Sequence, residues 1–271
     1  MPQVHASSSI SKEAVIADDV VIGPNCTLTG KVTLDAGVHL IANVYIQGPV
    51  HIGARTRIYP NACIGFEPQD VKFKPGMPTA GVKVGSDCLL REGVTLHAAS
   101  KLDHPTTVGD RCFLMVNAHL GHDARIGNDV TLVNGTLLAG HSQVGDRVTF
   151  GGGSALHQFN RVGRLAMVSG VTALSSDLPP FCMAAGRNSM VGLNIIGLRR
   201  NGFSREDITT IRRAFREALK PSLQRQECVA ILRELGKGCA PVMEMAEFVA
   251  TCQRTIVPFR SMGRETGGEE D

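Results

Sequence analysis

Through the central part of this chain an aliphatic residue or Phe returns at every sixth position: Val108, Leu114, Leu120, Ile126, Leu132, Leu138, Val144, Phe150, Leu156, Val162, Val168 and Leu174. Four residues after each anchor the side chain is mostly small or β-branched, as at Cys112, Ala118, Ala124, Val130, Thr136, Ser142, Val148 and Ser154. A period of six matches neither an amphipathic helix nor the alternation of a half-buried strand. It matches a hexapeptide coil, in which each unit supplies one short strand and a turn, and three units close one coil of a prism. The small position then fills a narrow prism corner.

The same period opens at Ile10 and runs in phase through Ile16, Ile22, Leu28, Leu34, Leu40, Ile46, Ile52, Ile58 and Ile64. Asn25, Gly30 and Asn43 between these anchors suit turns that need positive φ. The phase breaks from Gly65 to Gly81, a stretch carrying Gln69, Asp70, Lys72 and Lys74. It resumes at Val84, Leu90 and Leu96, then breaks again from Ala98 to Thr107. Such insertions must leave the prism, and in repeat proteins they gather on one face that is often the binding face.

Beyond Leu174 the repeat fades, through a transition expected to be irregular around Ala184 to Gly192. Helical spacing begins after Gly202, with Ser204 as N-cap, Asp207 three residues on, and Ile208, Ile211, Ala214, Phe215 and Leu219 on one face. Further helices are expected over Leu223 to Leu235 and Pro241 to Thr251, and a frayed polar end over Gly263 to Asp271. The fold is therefore expected to be mainly β: a parallel β-helix domain over 1–190 followed by an α-helical domain over 191–271.

Composition narrows this further. With 30 Gly, no Trp and 4% aromatics, a bulky aromatic core is excluded. A net charge of +3 is too mild to indicate nucleic acid. The start lacks a basic segment followed by an apolar one, and no run of about 18 apolar residues occurs, so a soluble cytoplasmic protein without stable membrane insertion is expected. The eight cysteines show no CxxC pair, and Cys26, Cys88 and Cys112 occupy the small corner position; they are expected to be reduced thiols. Between Arg199 and Arg225 eight Lys or Arg face three acids, which describes either a solvated helix face or a docking surface for an acidic partner.

Residues eighteen apart should stack on successive coils, separated by about 4.8 Å. His122, Gly140 and Gln158 then form one column, and Asp123, His141 and Phe159 the next. His119, His122, His141 and His157 gather there, beside a residue without a side chain. Acyl transfer needs a base, an orienting acid and an oxyanion donor. His122 is the candidate base and Asp123 its orienting acid, provided the turn brings adjacent side chains together. The Gly140 N–H is the candidate oxyanion donor. Clustered histidines also suit a metal. The gamma carbonic anhydrases, which share the hexapeptide repeat, hold zinc on three His, but the spacing of His119 and His122 is narrower than in that family. Acetyl transfer from coenzyme A and a catalytically silent scaffold are further readings.

The ordered motifs Asn117-Ala118-His119-Leu120-Gly121-His122-Asp123, Leu138-Ala139-Gly140-His141, Leu156-His157-Gln158-Phe159, Asp177-Leu178-Pro179-Pro180 and Gly197-Leu198-Arg199-Arg200-Asn201-Gly202-Phe203-Ser204-Arg205 resemble the UDP-N-acetylglucosamine acyltransferases of lipid A biosynthesis. The resemblance covers nearly the whole chain, including Gln69-Asp70-Val71-Lys72. It implies a homotrimer of left-handed β-helices with sites between subunits. It further implies transfer of a 3-hydroxyacyl chain from the phosphopantetheine thioester of acyl carrier protein to the 3-hydroxyl of a UDP-amino-sugar, the first step of lipid A biosynthesis, with no metal and no tightly held cofactor. Transfer to a sugar nitrogen stays open as an alternative. Carried over by position, His122, Asp123 and Gly140 look catalytic. Gln69, Asp70, Lys72, His97, His119, His141, Gln158, Asn194 and Arg200 match substrate contacts, Gly170 matches the position that sets acyl-chain length, and the basic C-terminal helices match the carrier-protein surface. The chain departs from the family at Ala98, where an Arg is usual, at Ile196, where an acidic residue is common, and at Asn201, where a second Arg is usual; Arg200 alone is expected to make one charge-assisted contact fewer.

Overall fold

The structure, a computed structural model, describes residues 1–220 and 222–259. Strands of two to four residues stack into three flat sheets of eleven, nine and eight strands. Successive strands of the chain go to successive sheets, so the backbone winds around a three-sided prism. His119 lies beside Leu137, Leu137 beside Ala155 and Ala155 beside Ala173, the eighteen-residue offset that the hexad period predicts. The anchors fill the interior: Leu114, Leu120, Leu132, Leu138 and Phe150 have no exposed surface. So do the small corner residues Cys26, Cys88, Cys112, Ala118 and Ala124. The coil begins one hexad earlier than expected, since Gln3–Val4 pairs with Val21–Ile22.

Turn chemistry explains how such short units close. The residue three places after an anchor repeatedly adopts a left-handed backbone, as at Asn25, Asn43, Asp87, Asp123, Asp129 and His141. Asn and Asp bear this better than most residues because their short polar side chains bond locally. The two interruptions do leave the prism, and they clasp each other. Ala80 donates to the Lys101 carbonyl at 3.0 Å, while Ala99 and Thr106 both donate to Gly81, at 3.1 and 3.0 Å. Across the second interruption Thr95 pairs with His119, and across the first Cys63 pairs with Thr95, both at longer offsets than the regular eighteen residues.

The transition after the coil is ordered, contrary to expectation. Cys182–Ala184 joins the first sheet, and Met190–Leu193 adds to it antiparallel. The expected boundary at 190/191 falls inside this last strand. Four helices follow: α1 (Ile195–Arg200), α2 (Arg205–Ala218), α3 (Arg225–Leu235) and α4 (Ala240–Ala250). The sequence reading missed α1 and started α3 two residues early. Ser204 caps α2 as predicted, accepting from the Asp207 N–H at 2.9 Å, and Ile208, Ile211, Ala214 and Ala218 form its buried stripe. The bundle is pinned to the prism by Arg164, which pairs with Glu244 of α4 at 2.6 Å, and by Arg161, which donates to the Phe248 carbonyl at 2.9 Å. The expected frayed end lies outside the described residues. Among those described, no helix is long and apolar enough to cross a membrane.

Candidate active site

The outer face of the second sheet carries a groove of about 920 Å³. Its floor is one stacked column, His119, Leu137, Ala155 and Ala173, which runs from polar to apolar along the prism. One wall is the corner where the second sheet turns into the third, formed by His122, Gly140, His157 and Gln158. Val171 stands on the opposite edge, Gln69 of the first insertion overhangs the polar end, and Arg187 marks the far end. The column expected from sequence therefore lines a single cavity.

Left-handed φ at Asp123 (60°) folds its carboxylate back onto the preceding side chain, and His122 Nδ1 lies 2.7 Å from Asp123 Oδ2. Ser100, from the second insertion, clamps the same carboxylate: its N–H lies 3.1 Å from both oxygens and its hydroxyl 2.7 Å from Oδ2. Burial by itself pushes this carboxyl up, but the bonds from His122 and from the Ser100 hydroxyl and N–H, with His141 nearby, outweigh it and hold the group at about 2. An ionised Asp123 fixes a proton on Nδ1 and leaves Nε2 as the basic nitrogen. Among the described residues, nothing is hydrogen-bonded to His122 Nε2, and the Gly140 N–H donates to no protein acceptor. A Cβ on Gly140 would lie 2.7 Å from His122 Nε2, so only glycine lets the imidazole sit there.

The other histidines are placed around this pair. His141 stacks on Phe159 with centroids 4.5 Å apart and approaches Asp123 to 3.5 Å; burial draws its pKa down, with Asp123 opposing. His119 bonds Thr95 Oγ1 at 2.8 Å and touches the His97 ring, whose Nδ1 lies 2.7 Å from the Glu67 carbonyl. Burial, and then His97, lower the pKa of His119. Asp70 accepts from the Lys72 N–H at 2.9 Å within the first insertion, and Lys72 is exposed there. Gly170 sits beside Val171 at the corner between the first and second sheets, where a Cβ would press on the Gly152 carbonyl at 3.3 Å. Ser100 was missed by sequence reasoning because it lies in an insertion that carries no period.

Asn194 and Arg200 are not part of this groove. They line a second cavity, of about 870 Å³, on the first sheet with Thr149, Met167 and Met183. Asn194 caps α1, its Oδ1 accepting from the Gly197 N–H at 2.9 Å. Asn201, expected to mark a lost contact, instead closes α1 by donating to the Gly197 carbonyl at 2.8 Å and accepts from Arg147 at 3.0 Å. Ile196 is 62% exposed and Ala98 wholly buried.

His122, Asp123 and His141 offer ligand atoms within 4.8 Å of one another, a spacing that could hold a cation. The Asp123 oxygens, however, are already engaged by His122 and Ser100.

Residues 177–257 match the family described as UDP-N-acetylglucosamine O-acyltransferase, domain 2, and residues 105–140 match the bacterial transferase hexapeptide repeat. The acyl-(acyl-carrier-protein)–UDP-N-acetylglucosamine O-acyltransferase of Thermodesulfovibrio yellowstonii is 40% identical over 258 residues, covering 94% of this chain and 99% of its own. The UDP-N-acetylglucosamine O-acyltransferase of Moraxella catarrhalis superposes with a TM-score of 0.89 at 32% identity, over 94% of this chain and 99% of that one. For the Francisella novicida enzyme the TM-score is 0.90 at 30% identity, over 95% and 94%. In sequence and in fold the chain is thus similar over nearly its whole length to named acyltransferases, and it belongs to the UDP-N-acetylglucosamine O-acyltransferase family.

Proposed function

We propose that the groove transfers an acyl group from acyl carrier protein to an oxygen of UDP-N-acetylglucosamine, as the relatives' names describe, the donor being a 3-hydroxyacyl thioester and the acceptor the sugar 3-hydroxyl. His122 Nε2 takes the hydroxyl proton as the sugar oxygen attacks the thioester carbonyl. The imidazolium so formed is stabilised by the ionised Asp123. Charge developing on the carbonyl oxygen is met by the Gly140 N–H. When the intermediate collapses, the C–S bond breaks and the thiolate takes the proton back from His122. Leu137, Ala155, Ala173 and Val171 give the acyl chain an apolar bed.

The observation that carries this reading is a tautomer-locked histidine whose free nitrogen faces an apolar groove beside a free backbone N–H. The groove with His122 and the cavity with Asn194 and Arg200 share no lining residue and lie on different sheets. If both bind one substrate, a second copy must supply one of them, which supports a homotrimer with sites between subunits. Exposed Arg205, Arg212 and Arg216 on α2 give the acidic carrier protein a docking face.

A transfer assay with 3-hydroxyacyl carrier proteins of several chain lengths, with and without chelator and with His122→Ala, tests the proposal. Product that survives the chelator and disappears in the variant is expected. Activity lost on chelation would favour a metal held by His122, Asp123 and His141 instead.

A further inference from the structure

We infer that Arg147 is a second guanidinium of the cavity on the first sheet and grips, beside Arg200, the diphosphate of the nucleotide-sugar acceptor; this rests on the function proposed above. Arg147 comes from the prism corner between the third and first sheets, whereas Arg200 ends α1. The nearest carboxylate, Asp129, is already held by Arg111 through two bonds, of 2.8 and 2.9 Å. Arg147 Nε stays 3.9 Å from Asp129, beyond hydrogen-bond reach. The one hydrogen bond of its guanidinium among the described residues runs from Nη1 to Asn201 Oδ1. A guanidinium has five N–H donors, so most of its donors are unused. Arg200 is exposed and makes no ion pair among the described residues.

The cavity thus holds two guanidiniums against one carboxylate, and that carboxylate belongs to a third arginine. Such an excess of cationic forks suits phosphate oxygens, and two forks suit a diphosphate better than a single carboxylate. Asn201 explains how the second fork is aimed. Its Nδ2 is fixed to the Gly197 carbonyl at 2.8 Å, which turns Oδ1 outward as an acceptor for Arg147. An arginine at 201 has no acceptor and would repel Arg147. The residue that departs from the family pattern therefore positions a cation supplied from elsewhere in the chain.

Calorimetric titration with UDP and with uridine, on wild-type protein and Arg147→Gln, tests this. UDP binding about tenfold to a hundredfold weaker in the variant, with uridine binding unchanged, is the expected result. The KM for UDP-N-acetylglucosamine should rise with kcat little changed, and Arg147→Lys, which keeps the charge without the fork, should fall between. Equal UDP affinity in the two proteins overturns the inference. So does an equal loss of UDP and uridine, which would mean that Arg147 only ties α1 to the prism. Wild-type protein that forms acylated sugar with a KM that Arg147→Gln does not change sinks this inference and leaves the proposed function standing. Wild-type protein that forms no product, yet binds UDP in a manner sensitive to Arg147, sinks the function and supports the anion site.

Discussion

Two corners of one prism use the same position of the repeat in opposite ways. Where the third sheet turns into the first, the residue two places after the anchor is Ser86, Asp110, Asn128 or Asp146, and the side chains of the last three each accept the backbone N–H of the coil before. Ser86 donates to Asp110 at 2.8 Å, Asp110 to Asn128 at 2.8 Å and Asn128 to Asp146 at 2.7 Å. One place further on, Arg55 pairs with Asp87 and Arg111 with Asp129. Most polar groups there are spent on the fold, the Arg147 guanidinium being the exception. Where the second sheet turns into the third, the equivalent residues are His122, Gly140 and Gln158. Gly140 has no side chain with which to accept anything, and His122 turns back onto its own neighbour. A backbone N–H and an imidazole nitrogen are left facing the groove. Reactivity arises where the repeat stops satisfying itself.

The contrast can be broken at either corner. His122→Ala should lower kcat by about a hundredfold to ten-thousandfold while lowering the urea unfolding midpoint only slightly, through the bond that Asp123 loses. A parallel fall in both would make His122 a structural residue like Asp110. Gly140→Ala keeps the N–H but drives a methyl to within 2.7 Å of Nε2; a displaced base should cost about a hundredfold in kcat, which steady-state kinetics would read. At the other corner, Asp110→Ala leaves the Ser86 N–H without its acceptor. It should reduce stability by about 1 kcal/mol with kcat intact, as followed by denaturant titration.

The smallest effect sharpens the comparison most. Asp123, held at about 2, sits below an unfolded carboxyl value of about 3.9. Its contribution to stability is therefore complete above the unfolded value and is lost as pH falls through the folded one. Ser100→Ala removes a bond to the ionised form and should raise the carboxyl midpoint in a carbon-13 titration. The stabilisation would then be smaller and would be lost at a higher pH. An unmoved midpoint would mean that His122 and the Ser100 N–H hold Asp123 ionised without the hydroxyl.

The hexad and its eighteen-residue stacking made the prism and the His122–Gly140–Gln158 wall legible, because every coil repeats the same steric demand. The His122–Asp123 contact was legible only as a condition. Neighbours meet at a corner if the second residue turns left-handed, and Asp is a residue that bears this conformation. Ser100 could not be placed, since an insertion has no period to fix its position. The four-residue strand Met190–Leu193 and the six-residue α1 were invisible because each is too short to display a period. Asn201 read as a deletion of charge because its partner, Arg147, lies 54 positions away along the chain.

The floor of the groove, one residue per coil from His119 to Ala173, gives the cavity a length counted in whole turns of the chain. An eighteen-residue duplication between Gly140 and Gln158 would extend it by about 4.8 Å and leave His122 untouched, and an eighteen-residue deletion would shorten it by as much. Reach and reactivity are therefore separately heritable in this architecture: the first changes in discrete steps by copying or losing a coil, while the second stays fixed in a single turn.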